Sequence, residues 1–474
     1  RHKNLERGVS LMLYDLAELK EKELGPIGGY EVSADGKKML VAKDGAYGIV
    51  DLPKGPVALD AKLDLSGLQV VLDRRQEWDQ IYEESGRQMR QFFYAPNMHG
   101  VDWEALRLRY KPLAAAAEHR ADLTYVIGEL IGELSAGHTY VGGGDLPAPA
   151  KVKVGMLGAR FERDAKTGAY RVARILKGLA WDPAVRSPLA AVGVDVKEGE
   201  YITAVDGRPL DPATDIGREL YNKAGRQVAL KVAAAADGKG ARDVVIVPIE
   251  TENALVYNDW VEGNIAKVDK ATGGKVGYVH IPNMGVDGLN EFVRRFYPQL
   301  RKKALIVDVR GNGGGNVSPM VIDRLVREMV MVEMARNQSG FPDPGAAFLG
   351  PKVCLCDEFS ASDGDIFPFR FKTLKLGKLI GKRTWGGVVG IRGTLPLLDG
   401  GALNKPEFAP YSPDGKGWLI EGVGVEPDIF VDNDPGREFA GIDDQLDKGI
   451  EVALEELKTK GREVPPVPPF PIKK

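Results

Sequence analysis

The chain has 474 residues, 43% of them apolar and 28% charged, with a formal net charge of −3. That length exceeds a single hydrophobic core and points to about three or four domains of globular composition. The small net charge offers no electrostatic footing to nucleic acid or an acidic membrane, and no apolar run reaches the ~18–20 residues of a membrane span.

The start, RHKNLERG, has neither an initiator Met nor an apolar signal-peptide core and reads as the interior of a larger gene product. LMLYDL, YEVSADGKKMLVAKDGAYGIVDL and VALDAKLDL then alternate polar and apolar residues, as strands do, with turns expected at Asp35-Gly36 and Asp44-Gly45. Such a hairpin resembles one blade of a β-propeller, which cannot bury its faces alone. From about residue 73 the period becomes helical. Trp78, Ile81, Tyr82, Met89, Phe92 and Phe93 recur every three to four residues, and so do Leu123, Val126, Ile127, Leu130 and Leu134. The second helix runs into SAGHTYVGGG, where Gly137 is a helix stop and His138 follows it.

Between 151 and about 250, KVGMLGARFE, YRVARIL, GEYITAVDGRPL, a helix expected in TDIGRELYNKAG, and the strands VALKVAA and DVVIVPI resemble a PDZ domain. Such a fold leaves a groove beside an edge strand where an extended peptide can add. Beyond 251 the pattern is α/β: KVGYVHI, the helix GLNEFVRRFYPQL and KALIVDV form a βαβ unit. The loop RGNGGGN and a helix expected over SPMVIDRLVREMVMVEM follow. PKVCLC, the loop SASDGD, the helix IFPFRFKTL and the strand KLIGKRT repeat the scheme, and the Pro-rich tail EVPPVPPFPIKK reads as an extended or disordered arm. Cys354 and Cys356, the only two cysteines, are expected to point to opposite faces of their strand and not to bridge. No disulfide framework exists, which favours a reducing, cytoplasmic compartment; a periplasmic or secreted location is the alternative if a preceding portion carried a signal peptide. Five histidines and two cysteines at no zinc spacing imply no metal, and nothing implies a cofactor.

The chemistry gathers in two loops that follow two apolar strands, where open α/β sheets hold their ligands. RGNGGGN is either a phosphate cradle, though it lacks the Walker pattern, or an oxyanion hole that needs a nucleophile nearby. SASDGD supplies one: Ser362 stands where a strand ends and a helix begins, with the N–H of Asp363 beside it. The bland reading is that Ser360 or Ser362 only caps the helix. A serine nucleophile needs a base, and His138 is the candidate; His99 and His280 carry only structural readings.

GELSAGHTY, the PDZ-like unit, VDVRGNGGGN, SASDGD and WLIEGVGVEPDI occur in an order that resembles the tricorn branch of the C-terminal processing serine peptidases, family S41. The resemblance covers nearly the whole chain and implies a multidomain α+β protein. Its parts are a propeller remnant over 1–72, a helical domain over 73–150, a PDZ-like domain over 151–252 and a βαβ, crotonase-like peptidase domain over 253–474. It implies Ser362 as nucleophile, His138 as general base, the N–H groups of Gly313 and Asp363 as oxyanion hole, and Glu421 in the charge network behind the histidine. Its substrates would be peptides or unfolded chains, its assembly a homo-oligomer. The sister branch uses a lysine where this chain has Gly387; Lys382 is close in sequence, but a Ser–Lys dyad is disfavoured. The family serine before the histidine is replaced by Gly137, which motivates the alternative of a catalytically impaired peptide-binding scaffold. The acid that would select basic P1 side chains is not placed by VREMVMVEM, where Glu328 and Glu333 are the acids on offer.

Overall fold

A computed structural model describes residues 9–164, 166–211, 213–393 and 395–473; the opening RHKNLERG lies outside them. The chain divides into two compact units, Arg1–Arg74 and Arg75–Lys474.

In the first unit, β1 (Leu11–Asp15) pairs with β2 (Lys20–Gly25), and β3 (Gly29–Val32), β4 (Lys38–Lys43) and β5 (Ala46–Asp51) form an antiparallel meander. Asp44 and Gly45, both left-handed at φ 51° and 75°, close the β4–β5 hairpin as the sequence implied. Leu24, Met39, Val41 and Val57 form its core. VALDAKLDL does not become a strand. Val57 N–H to Leu24 O (2.9 Å), Leu63 N–H to Tyr47 O (2.7 Å) and Lys43 Nζ to Val57 O (3.0 Å) tie it down, and Asp60, Lys62 and Asp64 remain in solvent.

The second unit opens with α1 (Arg74–Phe92), α2 (Trp103–Ala115) and α3 (Arg120–Gly132), which enclose Ile81, Tyr82, Met89, Trp103 and Leu123. His119 and Asp122 close the start of α3 in a capping box. After the His138 loop comes β6 (Tyr140–Gly142). An antiparallel sheet follows, built from β7 (Ala159–Arg163), β8 (Tyr170–Ile175), β9 (Tyr201–Val205), β10 (Arg208–Pro209), β11 (Val228–Ala233) and β12 (Arg242–Ile246), in the order β12–β11–β9–β8–β7 with β10 on β9. TDIGRELYNKAG forms only a 3₁₀ turn at Ile216–Leu220. The Asp215 carboxylate accepts the Gly217 N–H at its start (2.7 Å), and Tyr221 leaves the helical region at ψ 128°.

The remainder is α4 (Asn253–Thr272), β13 (Val276–His280), α5 (Val286–Phe296), β14 (Ala304–Asp308), α6 (Ser318–Leu325), β15 (Met331–Glu333), β16 (Phe341–Asp343), β17 (Lys352–Cys356), α7 (Asp363–Thr373), β18 (Gly377–Gly381), β19 (Ala402–Asn404), β20 (Ile429–Phe430), α8 (Pro435–Phe439) and α9 (Asp444–Lys460). β13, β14, β17, β18 and β20 form, in that order, a wholly parallel sheet. Its strands are mainly apolar, with polar residues such as His280, Asp308 and Lys352 at their ends, because both faces are covered. Leu305, Val307, Cys354 and Leu379 pack with α5, α6 and α7 on one face; Ala304, Ile306, Leu355 and Ile380 pack with α4 and α9 on the other.

Two expectations are corrected here. Cys354 and Cys356 share one face of β17, because residues i and i+2 of a strand point the same way; both are buried free thiols. The helix expected over SPMVIDRLVREMVMVEM stops at Leu325, and Met331–Glu333 pairs antiparallel with Phe341–Asp343. The β-branched Val326, Val330 and Val332 favour that extended course once a pairing partner exists. What matters for the site is simple. β14 and β17 are adjacent and parallel, so the loops after their carboxyl ends emerge side by side, and β6 pairs antiparallel with β19, bringing the His138 segment to the same unit.

Candidate active site

The serine loop is held by its own backbone and by three side chains. Asp357 accepts the N–H of Gly311 (2.9 Å) and of Phe359 (3.1 Å), so one carboxylate ties the two loops together. Asn312 accepts the Ala361 N–H at its carbonyl (2.8 Å), accepts the Gly314 N–H at Oδ1 (2.9 Å) and donates from Nδ2 to Ile281 O (2.8 Å). Asp363 is buried and accepts from Ser318 N–H (2.9 Å) and Ser318 Oγ, which anchors the start of α7 to α6. Burial pushes the Asp357 carboxyl above its ordinary value, against the hydrogen bonds that hold it ionised.

Ser362 itself lies at φ 58° and ψ −121°, a strained conformation for a residue with a Cβ, and its side chain makes no capping hydrogen bond. Ser360 is no cap either: its hydroxyl donates to Val309 O (2.9 Å) and accepts the Asp357 N–H (3.2 Å). The turn therefore projects the Ser362 hydroxyl outward, as a sharp strand-to-helix elbow does. Gly364, Asp365 and Ile366 turn their N–H groups back onto Ala361 O and Ser362 O (2.7, 2.9 and 3.0 Å). The N–H of Asp363 is thus the first of α7 without an acceptor among the described residues. Gly314, at φ +98°, lets RGNGGGN press against this turn; a Cβ there would stand 2.6 Å from Ser362 Cβ and 2.7 Å from Ala361 O.

The histidine arrives differently. His138 is half-buried at φ 58°, and its Nδ1 is buried without a hydrogen-bond partner. Its ring meets Trp385 and Tyr140 edge-on, with centroids 6.0 and 6.1 Å away. Burial lowers its pKa below the ordinary histidine value, and the Glu421 charge opposes that shift. Glu421 does not bond the imidazole. It accepts the backbone N–H of Gly137 at Oε1 (2.6 Å) and of Val388 and Val389 at Oε2 (2.7 and 3.0 Å). At Gly137, which has no side chain to offer, the carboxylate grips the backbone itself. A Cβ at 137 would lie 3.0 Å from Gly387 Cα and 3.1 Å from Glu421 Oε1.

A cavity of about 410 Å³ brings His138, Gly313 and Ser362 together with Tyr140, Glu358, Phe359, Ala361 and Trp385. Tyr140, Phe359 and Trp385 were not singled out from sequence; each stands two or three residues from a residue that was. Trp385 also explains Gly387, since a Cβ there would fall 2.1 Å from the indole. Lys382 pairs with Glu358 (2.7 Å) and Asp432 (3.1 Å) and so is engaged elsewhere. His99 and His280 are structural: His99 bonds Leu134 O and Tyr94 Oη (2.8 and 2.6 Å), and His280 bonds Arg310 O and Tyr257 Oη (3.0 and 3.1 Å). Chemically, the cavity offers a serine hydroxyl and an imidazole whose charged form burial disfavours, with Gly313 in its wall.

Comparison with known proteins addresses the family of the chain. Family models match over three stretches: the tricorn protease C1 domain over 74–132, the tricorn protease PDZ domain over 155–251 and peptidase family S41 over 275–431. Tricorn protease homolog 1 of Streptomyces coelicolor is 37% identical over 97% of this chain and 43% of its own length. The tricorn protease of Thermoplasma acidophilum is 34% identical over 98% of this chain and 43% of its own. The crystal structure of the tricorn protease superposes with a TM-score of 0.86 at 33% identity, over 95% of this chain and 43% of that one. The chain thus spans about half the length, or less, of the relatives it matches. With its PDZ and S41 peptidase domains in that order, the chain belongs to the tricorn protease branch of peptidase family S41.

Proposed function

We propose that this chain carries the catalytic portion of a serine endopeptidase that hydrolyses peptides or unfolded polypeptides. In this reading, Ser362 Oγ attacks the scissile carbonyl carbon while His138 takes the hydroxyl proton, an acid–base contribution of typically ~10²–10⁴-fold. The carbonyl oxygen becomes an oxyanion that the N–H groups of Gly313 and Asp363 stabilise, each donor worth about 3 kcal/mol. The C–N bond breaks as His138 returns the proton to the leaving amine, which leaves an ester on Ser362. Water, deprotonated by the same histidine, attacks that ester and releases the acid. Glu421 fixes the backbone at Gly137, next to His138, to that at Val388 and Val389, and its charge favours the imidazolium that forms.

The observation that carries this reading is the strained, uncapped turn at Ser362, facing the cavity that also holds His138. Strain of this kind persists only where the surroundings over-determine it, and helix capping does not account for it. The absent Ser362–His138 hydrogen bond is no objection, since such bonds often tighten only with substrate present. The scaffold alternative rests on Gly137 alone and is not favoured, because Glu421 reaches the Gly137 N–H. We read the domains as 1–72, 73–150, 151–252 and 253–474, with the first a propeller remnant, and the working form as a homo-oligomer. A cytoplasmic site of action fits that reading; among the described residues no helix is long and apolar enough to cross a membrane.

A fluorophosphonate probe tests the proposal. Peptide mapping should find one adduct, on Ser362, lost in Ser362→Ala and reduced by at least ~10²-fold in rate in His138→Ala. Labelling at another serine, or undiminished labelling of His138→Ala, would overturn it.

A further inference from the structure

A second cavity, of about 500 Å³, lies at the amino-terminal end of the parallel sheet, where α6, α7 and α9 end. Leu325, Met329 and Leu376 give it apolar wall. Five cations line it, Arg327, Lys352, Lys375, Lys460 and Arg462, against one acid, Glu328. Part of that charge has a structural explanation. Lys375 and Lys460 sit at the carboxyl ends of α7 and α9, where cations complement the helix dipole, and Lys460 pairs with Glu456 at 2.5 Å.

Lys352 has no such account. It opens β17, it is half-buried, and its ammonium donates to the carbonyl oxygens of Phe348 (3.2 Å) and Gly350 (3.5 Å) and lies 5.6 Å from the Phe348 ring centroid; among the described residues it has no carboxylate partner. Arg462 lines the same cavity, near enough for its charge to act on Lys352. Burial, and then the Arg462 charge, lower the Lys352 pKa to about 8, with Glu328 opposing. Two neighbouring cations without a bridging carboxylate are what an anion site looks like before its ligand arrives.

We propose that this cavity binds a small organic anion, its carboxylate or phosphate held by Lys352 and Arg462 and its apolar body against Leu325, Met329 and Leu376. The site is separate from the Ser362 cavity: β17 begins at Lys352 and Ser362 follows its far end, so the strand alone separates them by roughly 15 Å. Its size is that of a small-molecule pocket rather than of a single bound ion. The proposal stands independently of the peptidase reading.

Isothermal titration of the whole chain with octanoate, and separately with inorganic phosphate, tests it at constant ionic strength. Octanoate should bind one to one. Its affinity should fall by about 10-fold or more in Lys352→Met and in Arg462→Ala, as for a lost charge-assisted hydrogen bond. It should also weaken on going from about pH 7 to about pH 9.5, as Lys352 loses its proton while octanoate stays ionised. Phosphate binding as tightly as octanoate would assign the same cations to a phosphoryl ligand; weaker phosphate binding would assign them to a carboxylate with an apolar body. Arg462 is exposed, so its variant keeps the test valid should Lys352→Met fail to fold. Millimolar binding of neither probe, or binding unchanged in the variants, overturns the proposal.

Discussion

Ser362 stands on a turn whose neighbours are hydrogen-bonded to one another through Asp357, Asn312 and Asp363, all within the two loops that leave β14 and β17. His138 stands in a loop from the helical part of the unit, its Nδ1 without a partner, and is held by groups distant in sequence: Glu421 at the Gly137 N–H, and the β6–β19 pairing. The nucleophile and oxyanion donors are thus preorganised locally, while the base depends on contacts made after the rest has folded. Damage to the serine side should destroy the site outright. Damage behind the histidine should leave a folded protein whose base is misplaced, and that difference can be measured.

The largest effect short of removing a catalytic group is expected from Glu421→Gln. One carboxylate accepts three backbone N–H groups, and an amide replaces one acceptor with a donor, so at least one N–H meets another donor. Loss of a hydrogen bond to a charged group costs ~1.5–3 kcal/mol, so kcat should fall about 10–100-fold with KM little changed. A rise in KM at constant kcat would instead make Glu421 a substrate-binding residue.

A smaller effect on rate, with a larger one on stability, is expected at the Arg120–Asp399 pair. Arg120 Nε donates to Asp399 at 2.6 Å, both side chains are 2% exposed, and Asp399 also accepts the N–H of Asp145 (3.1 Å) and Gly401 (3.0 Å). The pair thus clamps the ends of β6 and β19, and with them the His138 loop. Asp399→Asn leaves a buried guanidinium uncompensated and should cost about 3–5 kcal/mol of stability, read from denaturant midpoints. Below the melting temperature kcat should drop less than ~10-fold. Replacing both partners, Arg120→Met with Asp399→Leu, should recover most of the stability; equal loss in single and double variants would show that the pair does not act as a clamp.

The same asymmetry governs what could be read from the sequence. The serine side was legible because its signal is local: an apolar run, ALIVDV or PKVCLC, followed by a small-residue loop, marks a parallel strand and its carboxyl end. The histidine side was not. Nothing near His138 in sequence names Glu421, Asp399 or Trp385 as its surroundings, and only the family resemblance brought Glu421 in. Likewise α4 and α9, which cover the second face of the sheet, escaped notice, because their apolar residues are set among charged and polar ones. The strand at Met331–Glu333 depends on a partner ten residues on, which no local propensity supplies. The two cysteines show a plain geometrical slip, since a step of two residues along a strand restores the same face.

The finest test of the histidine side is the acid limb of the pH–rate profile. Only the neutral imidazole can act as base, so activity is lost as pH falls through the His138 pKa in the free enzyme. Burial is the first cause of its shift and disfavours the imidazolium, so the folded value lies below the ordinary ~6.5. Half-maximal kcat/KM should therefore fall on the acid side of that value. Glu421 opposes the shift, so Glu421→Gln removes the one charge that favours the imidazolium and should move the midpoint further down even as the plateau falls. The two changes have separate origins, the plateau from a displaced backbone and the midpoint from a lost charge. A wild-type midpoint above the ordinary value would mean that a partner chain supplies Nδ1 with the acceptor it lacks here; an unmoved midpoint in Glu421→Gln would mean that its charge does not act on His138.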